Sequence, residues 1–299
     1  MPKTILLAEH AGFCHGVKRA VDTTVNLATS DTADDDARPA PVYVLGQLIH
    51  NQQAIDALET QGVQTVETLA EVPAGATVVI RTHGATPQLV ADAEAAGLTV
   101  ADATCPDVRL VQQKAIQLAE EGYTVVIIGR EDHPEVVGIR AHAQQIPGAS
   151  LVVAAAVDEM LEKLAPLPRR RIGVVSQTTQ LEATFFEAVK QLSQVAKELK
   201  VFNTICPATF YRQRAAQDLA TRVPMMVVVG GRHSANTTHL AEICRAQGAD
   251  TLHVETAAEL DAPEAQACLA RFSTVGVTAG ASTPDWIVAE VIDKLRHLT

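Results

Sequence analysis

Short apolar runs recur along the chain, and each stops at a polar turn rich in glycine, histidine or hydroxyl residues. The first is Ile5-Leu6-Leu7-Ala8; behind it apolar residues fall at Val17, Ala20, Val21, Val25 and Ala28. A run of four or five apolar positions bounded by turn residues reads as a strand, and a spacing of three to four as a helix face. Val42-Tyr43-Val44-Leu45 ends in a turn reaching His50, and Thr77-Val78-Val79-Ile80 ends in Arg81-Thr82-His83-Gly84. Thr124-Val125-Val126-Ile127-Ile128 leads to His133-Pro134-Glu135, and Arg171-Ile172-Gly173-Val174-Val175 to Ser176-Gln177-Thr178-Thr179. Met225-Met226-Val227-Val228-Val229 leads to Ser234-Ala235-Asn236, and Ser273-Thr274-Val275-Gly276-Val277 to Ala281-Ser282. Runs that are apolar throughout, rather than alternating, predict parallel strands covered on both faces, hence an α/β fold. The acidic stretch from Asp31 to Pro39 reads as a solvated loop.

The pattern restarts at three cysteines. Cys14, Cys105 and Cys206 each stand where a strand end gives way to a helix start, 91 and 101 residues apart. The polar strand ends follow each cysteine at similar intervals, at His50 and His83, at His133 and Thr178, and at Ser234 and Ser282. This predicts three similar α/β units with mostly parallel sheets, 16–104, 105–202, and 1–15 with 203–299, in a pseudo-threefold arrangement. Ligands of such sheets bind beyond the carboxyl ends of the strands, so the cysteines and polar turns are expected to share one central cavity.

Composition narrows the function. Hydrophobic residues make up 47% and charged residues 20%, enough apolar material for a packed core. A net charge of −11 and only 3% aromatic residues argue against nucleic acid as a partner. No basic region leads into a long apolar run, and nothing approaches a membrane span, so a cytoplasmic location without membrane attachment is expected. The five cysteines then read as metal ligands, catalytic groups or core residues rather than disulfides. Cys244 and Cys268 fall in helical patterns with no polar motif beside them and read as core.

At the other three, the unpaired N–H groups and positive dipole end of a helix start suit an anionic sulfur. Three thiolates without a fourth ligand fit a catalytic zinc ion with an open position, or an iron–sulfur cluster with one iron lacking a protein thiolate. A cluster suits a site walled by three units, and a buried core cysteine at each turn is the plainer alternative. His50, His83, Ser234, Asn236 and Ser282 are, taken singly, ordinary caps or loop residues; at repeated positions they form an anion cradle. Glu135 beside His133 reads equally as a surface residue or as a proton carrier near a metal, and Thr178 adds a hydroxyl. No dinucleotide or phosphate-loop glycine motif is present, so electrons for a redox reaction would come from another protein.

The stretches GFCHGVKRAV, LIHN, THG, DATCP, HPEVVG, SQTT, TICPAT, HSANTTHLAEIC and VTAGASTPDW, in this order and spanning nearly the whole chain, resemble the LytB-type family of 4-hydroxy-3-methylbut-2-enyl diphosphate reductases. The resemblance implies a threefold α/β body around a central [4Fe–4S] cluster, with Cys14, Cys105 and Cys206 as its ligands. It implies Glu135 as proton donor with His133 beside it, and Thr178 as the residue that positions the substrate hydroxyl. His50, His83, Ser234, Asn236 and Ser282 would hold the diphosphate. The implied reaction is a two-electron reductive dehydroxylation giving isopentenyl and dimethylallyl diphosphate. Its electron donor would be of ferredoxin or flavodoxin type. Ala11 and Ala235 stand where some members carry Arg and Ser, and Pro207-Ala208-Thr209-Phe210-Tyr211 leaves the substrate contacts after Cys206 open. The rivals are a non-redox enzyme on a similar three-cysteine cluster, of the quinolinate-synthase kind, and a non-catalytic metal or redox sensor.

Overall fold

A computed structural model of the chain describes residues 3–29 and 41–298; the acidic stretch expected as a loop lies outside them. The chain opens with β1 (Thr4–Leu7) and α1 (His15–Thr29), then runs β2 (Val42–Leu45), α2 (Gln52–Glu59), β3 (Val63–Val66), β4 (Thr77–Ile80), α3 (Pro87–Ala95) and β5 (Thr99–Asp102). It continues through α4 (Pro106–Glu120), β6 (Thr124–Ile128), α5 (Pro134–Gln144), β7 (Ser150–Ala154), α6 (Val157–Leu164), β8 (Arg171–Ser176), α7 (Glu182–Val195) and β9 (Glu198–Val201). The last third holds α8 (Pro207–Arg222), β10 (Met225–Val229), α9 (Ala235–Ala246), β11 (Asp250–Val254), α10 (Pro263–Leu269), β12 (Thr274–Ala279) and α11 (Asp285–His297).

The strands make three four-stranded sheets, ordered β3-β2-β4-β5, β7-β6-β8-β9 and β11-β10-β12-β1. Every pairing is parallel. The three orders are the same, with β1 taking the place in the last sheet that β5 and β9 hold in the others. The fold is therefore the repeated α/β architecture expected from the strand pattern. Strand ends that recur in the sequence are the inner strands of each sheet. The edge strands β3, β9 and β11 carry polar residues such as Gln64, Lys200 and Asp250 and have no long apolar run, so the pattern of the sequence passes over them.

The chain packs as two compact units: Met1–Lys18 with Ile49–Ala57 and Pro207–Thr299, and Arg19–Leu48 with Leu58–Cys206. The first holds one sheet. In it Met225, Val227 and Val229 of β10 face Ile287, Val291 and Leu295 of α11, while Met226 and Val228 face Leu219 of α8 and Leu240 of α9. Successive strand residues thus enter opposite cores, which is why the run is apolar throughout. The second unit holds two sheets. Val125 and Ile127 of β6 pack with Val111 of α4 and Ile139 of α5, and Val126 and Ile128 with Phe185 and Leu192 of α7. Its two sheets are tied because α4 and α5 also lie against the turn after β4, with Gln112 close to Gly84 and Gly138 close to the Ala85 carbonyl. Each fully buried Val, Leu or Ile in these layers contributes about 1.5–3 kcal/mol.

Two glycines mark where a helix comes close to its sheet. A side-chain carbon on Gly173 of β8 would lie 2.6 Å from Leu118 of α4, and one on Gly276 of β12 would lie 3.1 Å from Leu219 of α8. Leu118 is fully buried and has no room to retreat. Gly173→Ala is expected to destabilise the chain by ~1–3 kcal/mol through overpacking, and Leu118→Val in the same chain to recover part of that loss. Thermal or denaturant unfolding of the two single variants and the double variant measures it. Additive losses would show that the two positions do not touch.

Candidate active site

All three cysteines singled out in the sequence follow the same edge position. Cys14 comes after β1, Cys105 after β5 and Cys206 after β9, and each immediately precedes a helix, α1, α4 or α8. In each case the cysteine N–H donates to the carbonyl two residues beyond the neighbouring strand: Cys14 to Ala281, Cys105 to Thr82 and Cys206 to Thr178, all at 3.0 Å. The Cys14 sulfur caps its helix, accepting from the Val17 N–H at 3.4 Å. The approach to Cys105 is shaped by Asp102, whose carboxylate accepts the Thr104 N–H at 2.8 Å; Asn203 does the same for Ile205 ahead of Cys206 at 3.2 Å. Before Cys14 the corresponding residue is Ala11, which has no such acceptor, and the backbone instead turns through left-handed conformations at His10 and Gly12.

In the larger unit the strand ends bring together Glu135, Thr178, His133 and His83. Pro134 opens α5, so His133 is its N-cap, and the His133 Nδ1 accepts the Glu135 N–H at 3.2 Å. A ring nitrogen that accepts carries no hydrogen, which leaves Nε2–H as the donor of a neutral His133. The His83 ring stands edge-on to it, with centroids 5.3 Å apart. Glu135 is 1% exposed. Its carboxylate accepts from the Thr178 N–H at 2.6 Å and from the Thr178 hydroxyl at 2.8 Å. Burial pushes its carboxyl up to about 7; the Thr178 hydrogen bonds pull the other way, and the charge of Asp107 adds to the rise. A carboxyl group at that value carries its proton in a large fraction of molecules at neutral pH and can give it up.

In the smaller unit, Ser234 and the first turn of α9 with Asn236 follow β10, Ser282 follows β12, and His50 comes in with the segment Ile49–Ala57 that lies beyond β2. The Ser282 hydroxyl donates to the His50 carbonyl at 3.1 Å. Ser234 caps α9, accepting the Thr237 N–H at 3.3 Å. Asn236 is 4% exposed, and neither its amide nitrogen nor its oxygen has a hydrogen-bond partner. A buried amide left unsatisfied costs about 1–3 kcal/mol, so it marks a place prepared for a polar ligand. Gly230 and Gly280 make room for this corner: side-chain carbons there would strike the Thr283 hydroxyl at 2.3 Å and the Thr237 hydroxyl at 2.0 Å.

Cys14, Cys105 and Cys206 are half-buried thiols outside any disulfide. Three soft sulfur donors at equivalent helix starts are a donor set that fits an iron–sulfur centre, and equally the zinc alternative. Cys244 is fully buried in α9, where desolvation pushes its thiol up to about 12, and Cys268 lies in α10 with its sulfur 4.0 Å from the Met225 sulfur. Tyr211, from the segment left open in the sequence, lies against His10 with ring centroids 5.4 Å apart and planes tilted by 34°.

Sequence reasoning missed the residues that hold these turns in shape. Buried Gln177 accepts the Arg130 N–H at 3.3 Å and donates to Thr179 at 3.0 Å, joining the turns after β6 and β8. Thr82 donates to the Leu48 carbonyl at 2.9 Å, and Thr204 to the Ser176 carbonyl at 2.7 Å. The one available signal was position: each is a hydroxyl or amide residue within four residues of a strand end that also bears a site residue.

The family model described as LytB protein matches residues 5–296. The chain is 44% identical over 294 residues to a 4-hydroxy-3-methylbut-2-enyl diphosphate reductase of Anaeromyxobacter sp. (strain K), covering 98% of this chain and 99% of that one. A solved structure of (E)-4-hydroxy-3-methyl-but-2-enyl diphosphate reductase, the terminal enzyme of the non-mevalonate pathway, is 40% identical with a TM-score of 0.69, covering 98% of this chain and 99% of that one. That of the E-1-hydroxy-2-methyl-but-2-enyl-4-diphosphate reductase from Plasmodium falciparum is 27% identical with a TM-score of 0.88, over 98% of this chain and 88% of that one. With a family match over almost its entire length and a relative this similar, the chain belongs to the LytB family.

Proposed function

We propose that this chain catalyses the reductive dehydroxylation of 4-hydroxy-3-methylbut-2-enyl diphosphate to isopentenyl and dimethylallyl diphosphate. The reading is that of an oxidoreductase using a [4Fe–4S] cluster on Cys14, Cys105 and Cys206. The relatives support the reaction. Within the chain, the observation that carries it is the buried Glu135–Thr178 pair, because Thr178 also gives its carbonyl to the Cys206 N–H. A proton donor is thereby tied to the turn that bears a cysteine. When bound, the cluster supplies single electrons in succession and a Lewis-acidic iron.

The chain's own residues supply the rest. Glu135 in its protonated form donates to the Thr178 oxygen, and the Thr178 hydroxyl hydrogen turns outward toward the substrate hydroxyl. Passing the proton along this pair, or through the diphosphate, lets the hydroxyl depart as water. The His133 Nε2–H is a second fixed donor. His50, His83, Ser234, Asn236 and Ser282 bind the diphosphate through their side-chain donors, consistent with an anion site in an acidic chain. Anchoring the diphosphate fixes the reach of the hydroxyl at the other end of a short substrate.

The division into 16–104, 105–202, and 1–15 with 203–299, in pseudo-threefold arrangement about the cluster, belongs to the same reading; the common strand order of the three sheets supports it. Electrons come from an external ferredoxin- or flavodoxin-type protein. No helix among the described residues is long and apolar enough to cross a membrane, in keeping with a cytoplasmic enzyme.

Three measurements on the anaerobically reconstituted protein test this. Glu135→Gln keeps the shape of the side chain but removes the proton, and is expected to lower kcat by ~10²–10⁴ with the absorption spectrum unchanged. In the unaltered chain kcat/KM is expected to fall as pH rises through about 7, because the required form of Glu135 is the protonated one. That limb should be missing from the residual activity of Glu135→Gln; its persistence there would assign the titration to another group. Asn236→Ala removes a hydrogen bond to a charged ligand, worth ~1.5–3 kcal/mol. It should raise KM by about that much while leaving iron content unchanged, and an unaltered KM would take Asn236 out of the anion site.

A further inference from the structure

Two arginines on helices that begin at a cysteine reach the backbone just ahead of another cysteine. Arg19, five residues after Cys14 in α1, donates from Nη2 to the Thr104 carbonyl at 2.5 Å, and Thr104 directly precedes Cys105. Arg212, six residues after Cys206 in α8, donates from Nη2 to the Gly12 carbonyl at 2.6 Å, and Gly12 lies two residues ahead of Cys14. A second Arg212 nitrogen bonds the Ala208 carbonyl of its own helix at 3.0 Å, which fixes the direction of the guanidinium. Arg212 is 4% exposed, and the Arg19 Nε is buried without a hydrogen-bond partner.

Burying a guanidinium costs several kcal/mol and is a poor way to gain stability alone. The chain also has a neutral means of fixing such a turn. Ahead of Cys206, the Thr204 hydroxyl donates to the Ser176 carbonyl and accepts the Ser176 N–H, both at 2.7 Å. At the other two turns a guanidinium holds a backbone carbonyl, and ahead of Cys105 the Asp102 carboxylate accepts the Thr104 N–H as well. Charge-assisted hydrogen bonds are about twice as strong as neutral ones. Fixed charge and hydrogen bonding around ligating sulfurs set both the retention of a cluster and its reduction potential.

We propose that Arg19 and Arg212 are positioning residues that fix the turns before Cys105 and Cys14, keep the metal group in place, and favour its reduced, more negative state. This rests on the reading of the three cysteines as cluster ligands. The test uses the full chain with Arg19→Gln, Arg19→Lys, Arg212→Gln and Arg212→Lys, each reconstituted anaerobically with iron and sulfide. Iron per chain, the rate of iron release to a chelator and the midpoint potential are measured, along with thermal unfolding of the metal-free forms. The Gln variants are expected to release iron about tenfold faster and to show a lower midpoint potential. The Lys variants should recover the potential, because the charge remains, and still release iron faster, because the planar fork is gone. Wild-type values for either quantity in the Gln variants overturn the assignment. An unaltered chain that takes up no iron and sulfide overturns the cluster reading instead. If Arg212→Gln does not fold, the half-buried Arg19 pair decides.

Discussion

A parallel sheet collects the carboxyl ends of all its strands along one edge, and the chemistry of this chain depends on that constraint. Each sheet delivers two inner turns and the turn after one edge strand side by side. One backbone hydrogen bond, from a cysteine N–H to the second residue past the neighbouring strand, then sets the cysteine relative to the inner turn. Because the acceptor in one case is Thr178, the same short contact brings a sulfur, a hydroxyl and the Glu135 carboxyl into one framework. The parallel strands leave little freedom in where these groups lie.

Glu135 illustrates how a general-purpose group acquires a particular task. Its neighbours on α5 are apolar, Val136 and Ile139 being fully buried, so the carboxyl sits in a medium that penalises its charge. The two bonds from Thr178 moderate the penalty without cancelling it. Burial alone would hold the proton more firmly, and the hydrogen bonds alone would draw the carboxyl below its ordinary value.

The inner strands and the three helix starts were legible because they are written in long apolar runs and in cysteine-proline or cysteine-histidine steps. The edge strands β9 and β11 were not, since Glu198, Lys200 and Asp250 face partly into water and break the pattern. Site residues with a diagnostic type stood out: cysteine, histidine, and the glutamate after His133-Pro134. Gln177, Thr82, Arg19 and Arg212 did not, because their parts are defined by which distant carbonyl or N–H they meet, and a single sequence carries no record of that distance. Whether Glu135 was buried was likewise undecidable in the sequence, because Thr178, which closes over its carboxylate, lies 43 residues away.

One strand is paired across almost the full length of the chain. Thr4–Leu7 finds its partner only in Thr274–Ala279, and the Cys14 amide finds its acceptor at Ala281. During synthesis these residues therefore wait, with their backbone N–H and carbonyl groups without their strand partner, until nearly every other residue has been made. Contacts of such sequence separation form late and slow folding. The two sheets of the larger unit need no such delay. The turn that bears Cys14 thus reaches its final geometry only once Ala281 has been made, whereas the Cys105 and Cys206 turns find their acceptors at Thr82 and Thr178, much earlier in synthesis.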